Sequence, residues 1–220
     1  WLTALALFKG KLGMQNGPST ITYSAGISAC EKERLWETAL ALFHDMWCVW
    51  VEPSVITFNA AISALDKGQQ WPMALAVLRQ MRCMRKIPTL ISYSAAVSSC
   101  EKKQAWQVVV TILHQMQQLR VRPNRITFNA AMSACEIVEW RKALRFLERM
   151  RRNAIEPNRI SYSSAAYAGG RGRNWKIAFE IFDMAEHCTV ADVDGLVWRA
   201  AVWASEASGT LAPPFPRVAS

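Results

Sequence analysis

The sequence predicts an all-α protein, a solenoid of stacked antiparallel helical hairpins, and three observations carry that expectation. An Ile-[Ser/Thr]-[Tyr/Phe] core recurs at Ile21-Thr22-Tyr23, Ile56-Thr57-Phe58, Ile91-Ser92-Tyr93, Ile126-Thr127-Phe128 and Ile160-Ser161-Tyr162. Pro18, Pro53, Pro88, Pro123 and Pro157 precede it in step, and Trp1, Trp36, Trp71, Trp106, Trp140 and Trp175 keep the same beat. Between them, apolar residues fall at helical spacing. A fixed period of about 35 residues means units that bury apolar faces only against neighbours, so function lies along an extended surface.

The first half of each phrase places apolar or small residues at i, i+3, i+4 and i+7: Tyr23, Gly26, Ile27 and Cys30, then Phe58, Ala61, Ile62 and Leu65, then Tyr93, Ala96, Val97 and Cys100, then Phe128, Ala131, Met132 and Cys135. That spacing is one apolar face of a short helix. The Thr or Ser before each aromatic is read as its N-cap. The second half follows the same rule with Trp36, Ala39, Leu40, Phe43 and Met46, and with Trp71, Ala74, Leu75, Leu78 and Met81. Leu42, Val77, Ile112, Phe146 and Ile181 give this second helix another apolar face, and its tryptophan is expected to be buried. The proline that follows cannot continue a helix and sets the return.

Residues 20–54, 55–89, 90–124 and 125–158 are then complete repeats. The last is one residue shorter, and the loss lies between its helices. Residues 1–19 read as the second helix of a truncated repeat, residues 159–204 as a degenerate, capping repeat broken by Gly169-Gly170-Arg171-Gly172, and residues 205–220 as a flexible tail. A start on Trp1, in mid-phrase, reads as a fragment, with any targeting segment upstream.

At 220 residues and 51% apolar content the chain buries a continuous ribbon of core, and it holds no apolar run long enough to span a membrane. The six cysteines form no CxxC pair and no metal-ligand spacing; Cys30, Cys100 and Cys135 share a phase with Leu65 and read as core thiols in a reducing compartment. The net charge of +9 is concentrated in residues 120–176, which hold 13 Lys and Arg against 4 Asp and Glu. Such a field suits a polyanion, or is a solvated basic face kept for solubility.

This phrase, with [Ser/Thr]-[Tyr/Phe]-[Ser/Asn] opening one helix, Ala-Leu and a closing Met in the next, then Pro, resembles the pentatricopeptide repeat family over residues 1–190. The resemblance implies a right-handed superhelix that binds single-stranded RNA in a chloroplast or mitochondrion, one base per repeat. It also implies base readers after each aromatic, Ser24, Asn59, Ser94, Asn129 and Ser163, and after each proline, Ser54, Thr89, Asn124 and Asn158. By the family's code Ser94 with Asn124 reads adenine, Asn129 with Asn158 cytosine, Asn59 with Thr89 a pyrimidine, and Ser24 with Ser54 a purine. Ser54 and Thr89 depart from the family's usual Asp or Asn.

Ile21, Ile56, Ile91, Ile126 and Ile160 match the family's base-sandwiching aliphatics, and Lys32, Lys67 and Lys102 its phosphate-facing lysines; Ile137 breaks the lysine series. The residues alone leave the isoleucines open between core packing and base contact. A carboxamide carries donor and acceptor while a hydroxyl is smaller and rotates, so the Ser and Asn positions suit different base edges, or simply a polar face.

No catalytic residues, metal ligands or cofactor are expected. His44, His114 and His187 lack a nucleophile at a telling spacing and read as surface residues, Asp192 and Asp194 as solvated loop, and the Gly-rich run lacks the lysine of a phosphate loop. The leading reading is a monomeric, non-enzymatic RNA-binding protein in organellar RNA processing, stability, splicing or translation, alongside protein partners of a processing complex and away from membranes. A protein-binding scaffold of tetratricopeptide type, and an RNA-delivery array of an enzyme whose catalytic domain lies elsewhere, are the rivals.

Overall fold

The computed structural model describes residues 19–101, 105–135 and 140–171, with positions 176, 180, 181, 184 and 202. Among the described residues there are nine helices and no strand: α1 Thr20–Lys32, α2 Trp36–Cys48, α3 Val55–Lys67, α4 Trp71–Cys83, α5 Leu90–Glu101, α6 Trp106–Gln118, α7 Arg125–Cys135, α8 Trp140–Arg152 and α9 Arg159–Arg171. Residues 1–18 of the truncated repeat at 1–19, together with Lys102, Ile137, His187, Asp192, Asp194 and the tail, lie outside the described residues.

The fold divides into two compact units, residues 1–103 with 108–123, and residues 104–107 with 124–220. In the first, α1 packs on α2, α3 on α4, and the first helices stack as α1 on α3 on α5. In the second, α7, α8 and α9 pack against one another. The apolar spacing accounts for both arrangements, since Tyr23, Ile27, Cys30, Phe58, Ile62, Leu65, Tyr93, Val97 and Cys100 are all fully buried. Full burial stabilises a side chain of this size by about 1.5–3 kcal/mol. Leu42, Val77, Ile112, Phe146 and Ile181 are buried too, so the second helix does carry a further apolar face. Phe43 meets Phe58 edge-on at 5.3 Å, joining one repeat to the next.

Two local expectations need correction. The N-cap is not the Thr or Ser before the aromatic but the residue three positions earlier. Ser19 caps α1 and Ser54 caps α3. Thr57 sits at the third helical position, where it receives the cap's bond on its N–H and returns one to the N–H of Ser54, closing a capping box. Asn124 Oδ1 likewise accepts from the N–H of Thr127 at 2.9 Å, and Asn158 Oδ1 from that of Ser161 at 3.1 Å. Nor are Trp36, Trp71 and Trp106 buried. Each stands half-buried at the first position of its helix. The Trp36 ring lies against Gly68 of the following hairpin turn, where any Cβ would fall within 3.0 Å of it. In the second unit the Lys142 ammonium stands 3.3 Å over the Trp106 ring.

Helices end by stepping into the left-handed region without glycine. Arg34, Gln69, Trp50, Arg85, Arg120 and Ala154 have φ between 55° and 59°. The bond from Leu35 N–H to Cys30 O, 3.0 Å, and that from Val51 N–H to Met46 O, 2.9 Å, close the turns.

Candidate nucleic-acid interface

Each first helix begins with the same outward pair, an isoleucine and, three residues on, a serine or asparagine. Three residues is nearly one helical turn, so the two side chains stand on one face. In the first unit Ile21, Ile56 and Ile91 are 79%, 68% and 60% exposed; in the second Ile126 and Ile160 are 64% and 57% exposed. The core-packing alternative for these isoleucines is thereby removed. Their apolar side chains face solvent at one repeat phase, at the helix end where backbone N–H groups point outward.

Beside them the polar residues fall into two patterns. Ser24, Ser94 and Ser163 turn back on their own helices, donating to Ile21 O at 2.9 Å, Ile91 O at 3.1 Å and Ile160 O at 3.1 Å. Asn59 and Asn129 instead reach the next repeat. Asn59 Nδ2 donates to Thr89 Oγ1 at 3.4 Å while its Oδ1 accepts from Ser92 Oγ at 2.5 Å. Asn129 Nδ2 donates to Asn158 Oδ1 at 3.2 Å and its Oδ1 accepts from Ser161 Oγ at 2.6 Å. Within each unit the structure therefore joins the residue after the aromatic to the residue after the proline, as Asn59 with Thr89 and Asn129 with Asn158.

Lys32 is exposed at the end of α1. Lys67, at the same phase of α3, is engaged with Glu31 at 3.2 Å. Pairing with a carboxylate leaves that lysine less charge to offer an anion, an interaction the sequence did not reveal. Among the described residues no group of His, Cys, Asp and Glu could hold a metal, and no helix is long and apolar enough to cross a membrane. His44 and His114 are exposed helix-surface residues. In the sequence Ser92 and Ser161 read only as N-caps, although one further signal was there: a serine replaces threonine before the aromatic in just the repeats that follow Asn59 and Asn129.

The pentatricopeptide repeat domain family matches residues 17–68, 42–103 and 97–136. The chain belongs to the pentatricopeptide repeat family. No curated protein matches it. Among solved structures it is similar to the maize pentatricopeptide repeat protein PPR10, with 21% identity, a TM-score of 0.72, and coverage of 93% of this chain and 29% of that one. It is also similar to PPR10 in complex with an 18-nt psaJ RNA element, with 20% identity, a TM-score of 0.69, and coverage of 95% and 31%. The pentatricopeptide repeat domain of Arabidopsis thaliana protein-only RNase P 1 in complex with tRNA gives 13% identity and a TM-score of 0.70, covering 82% of this chain and 95% of that one. At these identities the likeness establishes a shared all-α repeat fold, and the chain spans less than a third of PPR10.

Proposed function

We propose that this pentatricopeptide array binds single-stranded RNA on its first-helix face, one base per repeat, and acts as a non-enzymatic guide for transcripts in a chloroplast or mitochondrion. The observation that carries the reading is the phased row of exposed isoleucines, each beside a serine or asparagine. A branched apolar side chain left in water at each of these helix starts suits the face of an unstacked base, and the neighbouring hydroxyl or carboxamide suits its edge. Ser24, Ser54, Asn59, Thr89, Ser94, Asn124, Asn129, Asn158 and Ser163 are the proposed readers. Lys32, Lys67 and Lys102 are proposed to meet phosphates. Two relatives in fold, PPR10 and the RNase P 1 domain, are described in complex with RNA, which supports the polyanion over a peptide in the groove.

The test is competition among short oligoribonucleotides that differ only at the base facing residues 125–158. Asn129 with Asn158 is expected to favour cytosine, and Asn129→Ser to move the preference toward adenine at that position alone. A single base contact is worth about 1–3 kcal/mol in direct readout on DNA, and the lower end is expected here. Equal binding of double-stranded RNA, or capture of peptide and not RNA, would overturn the proposal.

A further inference from the structure

We infer that Ser92 and Ser161 are positioning residues that fix the carboxamides of Asn59 and Asn129 so that each asparagine meets its base as an N–H donor. The inference rests on the base-reading assignment proposed above. An asparagine can turn its side chain over and exchange its oxygen for its nitrogen at almost no steric cost, which would blur any preference between donor and acceptor edges. The hydrogen bonds around Asn129 forbid that exchange.

Ser161 Oγ accepts the backbone N–H of Asn158 at 3.1 Å, so its lone pair toward the helix start is taken. Its single proton has two acceptors in reach, Asn129 Oδ1 at 2.6 Å and Asn158 Oδ1 at 3.0 Å, and the shorter contact is to Asn129. Asn158 Oδ1 is itself identified as oxygen, because it accepts the N–H of Ser161 at 3.1 Å. It receives one Nδ2 proton of Asn129 at 3.2 Å. Turned over, Asn129 would set its oxygen against the oxygen of Asn158 with no proton between them, and would leave the Ser161 hydroxyl only the longer of its two acceptors, Asn158 Oδ1. The second Nδ2 proton is what remains to offer a ligand. Aimed at a Watson–Crick edge, such a donor meets an acceptor at cytosine N3 but another N–H at uracil N3, so the locked carboxamide favours cytosine.

The same device is looser at Asn59. Ser92 Oγ accepts from Thr89 N–H at 3.0 Å and donates to Asn59 Oδ1 at 2.5 Å. The partner of Asn59 Nδ2, however, is the Thr89 hydroxyl, which can donate as readily as accept. Asn59 is therefore held from one side and Asn129 from both. All four hydroxyls touch the residue that starts their own helix, Thr57 at 3.0 Å from Ser54 Oγ, Thr127 at 2.9 Å from Asn124 Oδ1, Ser92 at 3.2 Å from Thr89 Oγ1 and Ser161 at 3.0 Å from Asn158 Oδ1, but Ser92 and Ser161 add a bond to the asparagine of the preceding repeat. Serine thus stands where an asparagine needs orienting, and threonine where none is present.

The experiment compares cytosine with uracil at the base facing residues 125–158, using the whole chain. Ser161→Ala is expected to lower that ratio about fivefold, the equivalent of one net hydrogen bond, with the other base positions and the salt dependence unmoved. Ser161→Thr keeps the hydroxyl and is expected to restore the ratio to within about twofold. Ser92→Ala is expected to relax its own position less than Ser161→Ala relaxes its own. Thr22→Ala, which removes the same helix-start hydroxyl where no reader depends on it, controls for lost capping. If Asn129→Ser changes base preference while Ser161→Ala and Ser92→Ala do not, the clamp is wrong and the base-reading assignment stands. If Asn129→Ser also changes nothing, that assignment falls and the inference with it. Should Ser161→Ala unfold its repeat, Ser161→Thr and Ser92→Ala decide: an unchanged ratio in Ser92→Ala, or a collapsed one in a folded Ser161→Thr, overturns the clamp.

Discussion

Cys100 shows how burial governs a single side chain in this array. Its thiol is fully enclosed, and burial pushes its pKa from 9.0 up to about 11; a hydrogen bond from Ser99 offsets part of the rise, and the Asp66 carboxylate adds to it. The thiol holds its proton in the folded state over a range where the unfolded chain has lost it. Stability from this group is therefore complete below pH 9 and is lost as pH rises toward 11, at up to about 1.4 kcal/mol per unit. Urea unfolding at pH 8 and pH 10.5 tests this. Cys100→Val should lose less stability across that interval than the parent chain by about 1–3 kcal/mol, and equal losses would reject the account. Tyr23, held up by burial and its bond to Asp45, pulls in the same direction in both proteins, so the difference isolates Cys100. Exposed Cys48 and Cys83 should react with a thiol reagent in the native state, while Cys30, Cys100 and Cys135 should not.

Between helices, the contact of Trp36 with Gly68 links a hairpin to the turn of the next. Gly68 has an ordinary helical φ of −81°, so its small size, not its flexibility, is what the site uses. Gly68→Ala should cost about 1–3 kcal/mol by overpacking, and should cost much less in a Trp36→Ala background. Additive losses in chemical denaturation would mean the ring does not rest on that residue. The helices themselves were legible in the sequence because Tyr23, Ile27, Cys30 and their counterparts repeat a helical spacing that serves no other structure. Helix starts were misplaced by three residues because a capping box puts Ser or Thr at both of its ends, and Ser54 and Thr57 are equally good cap residues by type. The turns were illegible for a different reason: Arg34, Trp50 and Ala154 adopt a backbone that usually advertises itself as glycine. At the interface, sequence period aligned the isoleucines and readers, but only coordinates could show the isoleucines bare, Lys67 engaged by Glu31, and Asn129 held from two sides.

At the level of the molecule, charge and order are distributed separately from base choice. Half of the 26 Lys and Arg lie in residues 120–176, whereas Lys32 and Lys67 sit in the first unit, where Glu31 pairs with Lys67. If Lys67 meets a phosphate, Lys67→Ala should lower the slope of log affinity against log salt by about 0.7, and Glu31→Gln, which releases the lysine, should raise affinity at low salt. Titration of one oligoribonucleotide across a salt series measures both, and slopes indifferent to either substitution would remove Lys67 from the interface. Every proposed reader after a proline that lies in a described repeat is also the residue that starts a helix. Ser54, Asn124 and Asn158 each accept the N–H of the third residue of the helix they start. Only short side chains with an acceptor do this well, and exchange for an aliphatic costs about 0.5–2 kcal/mol. The vocabulary available at that position is thus set by the backbone before any nucleotide arrives: a designer wishing to respell Asn158 can choose among Ser, Thr, Asn and Asp, but a longer word such as Arg would address a new base only by loosening the first turn of α9.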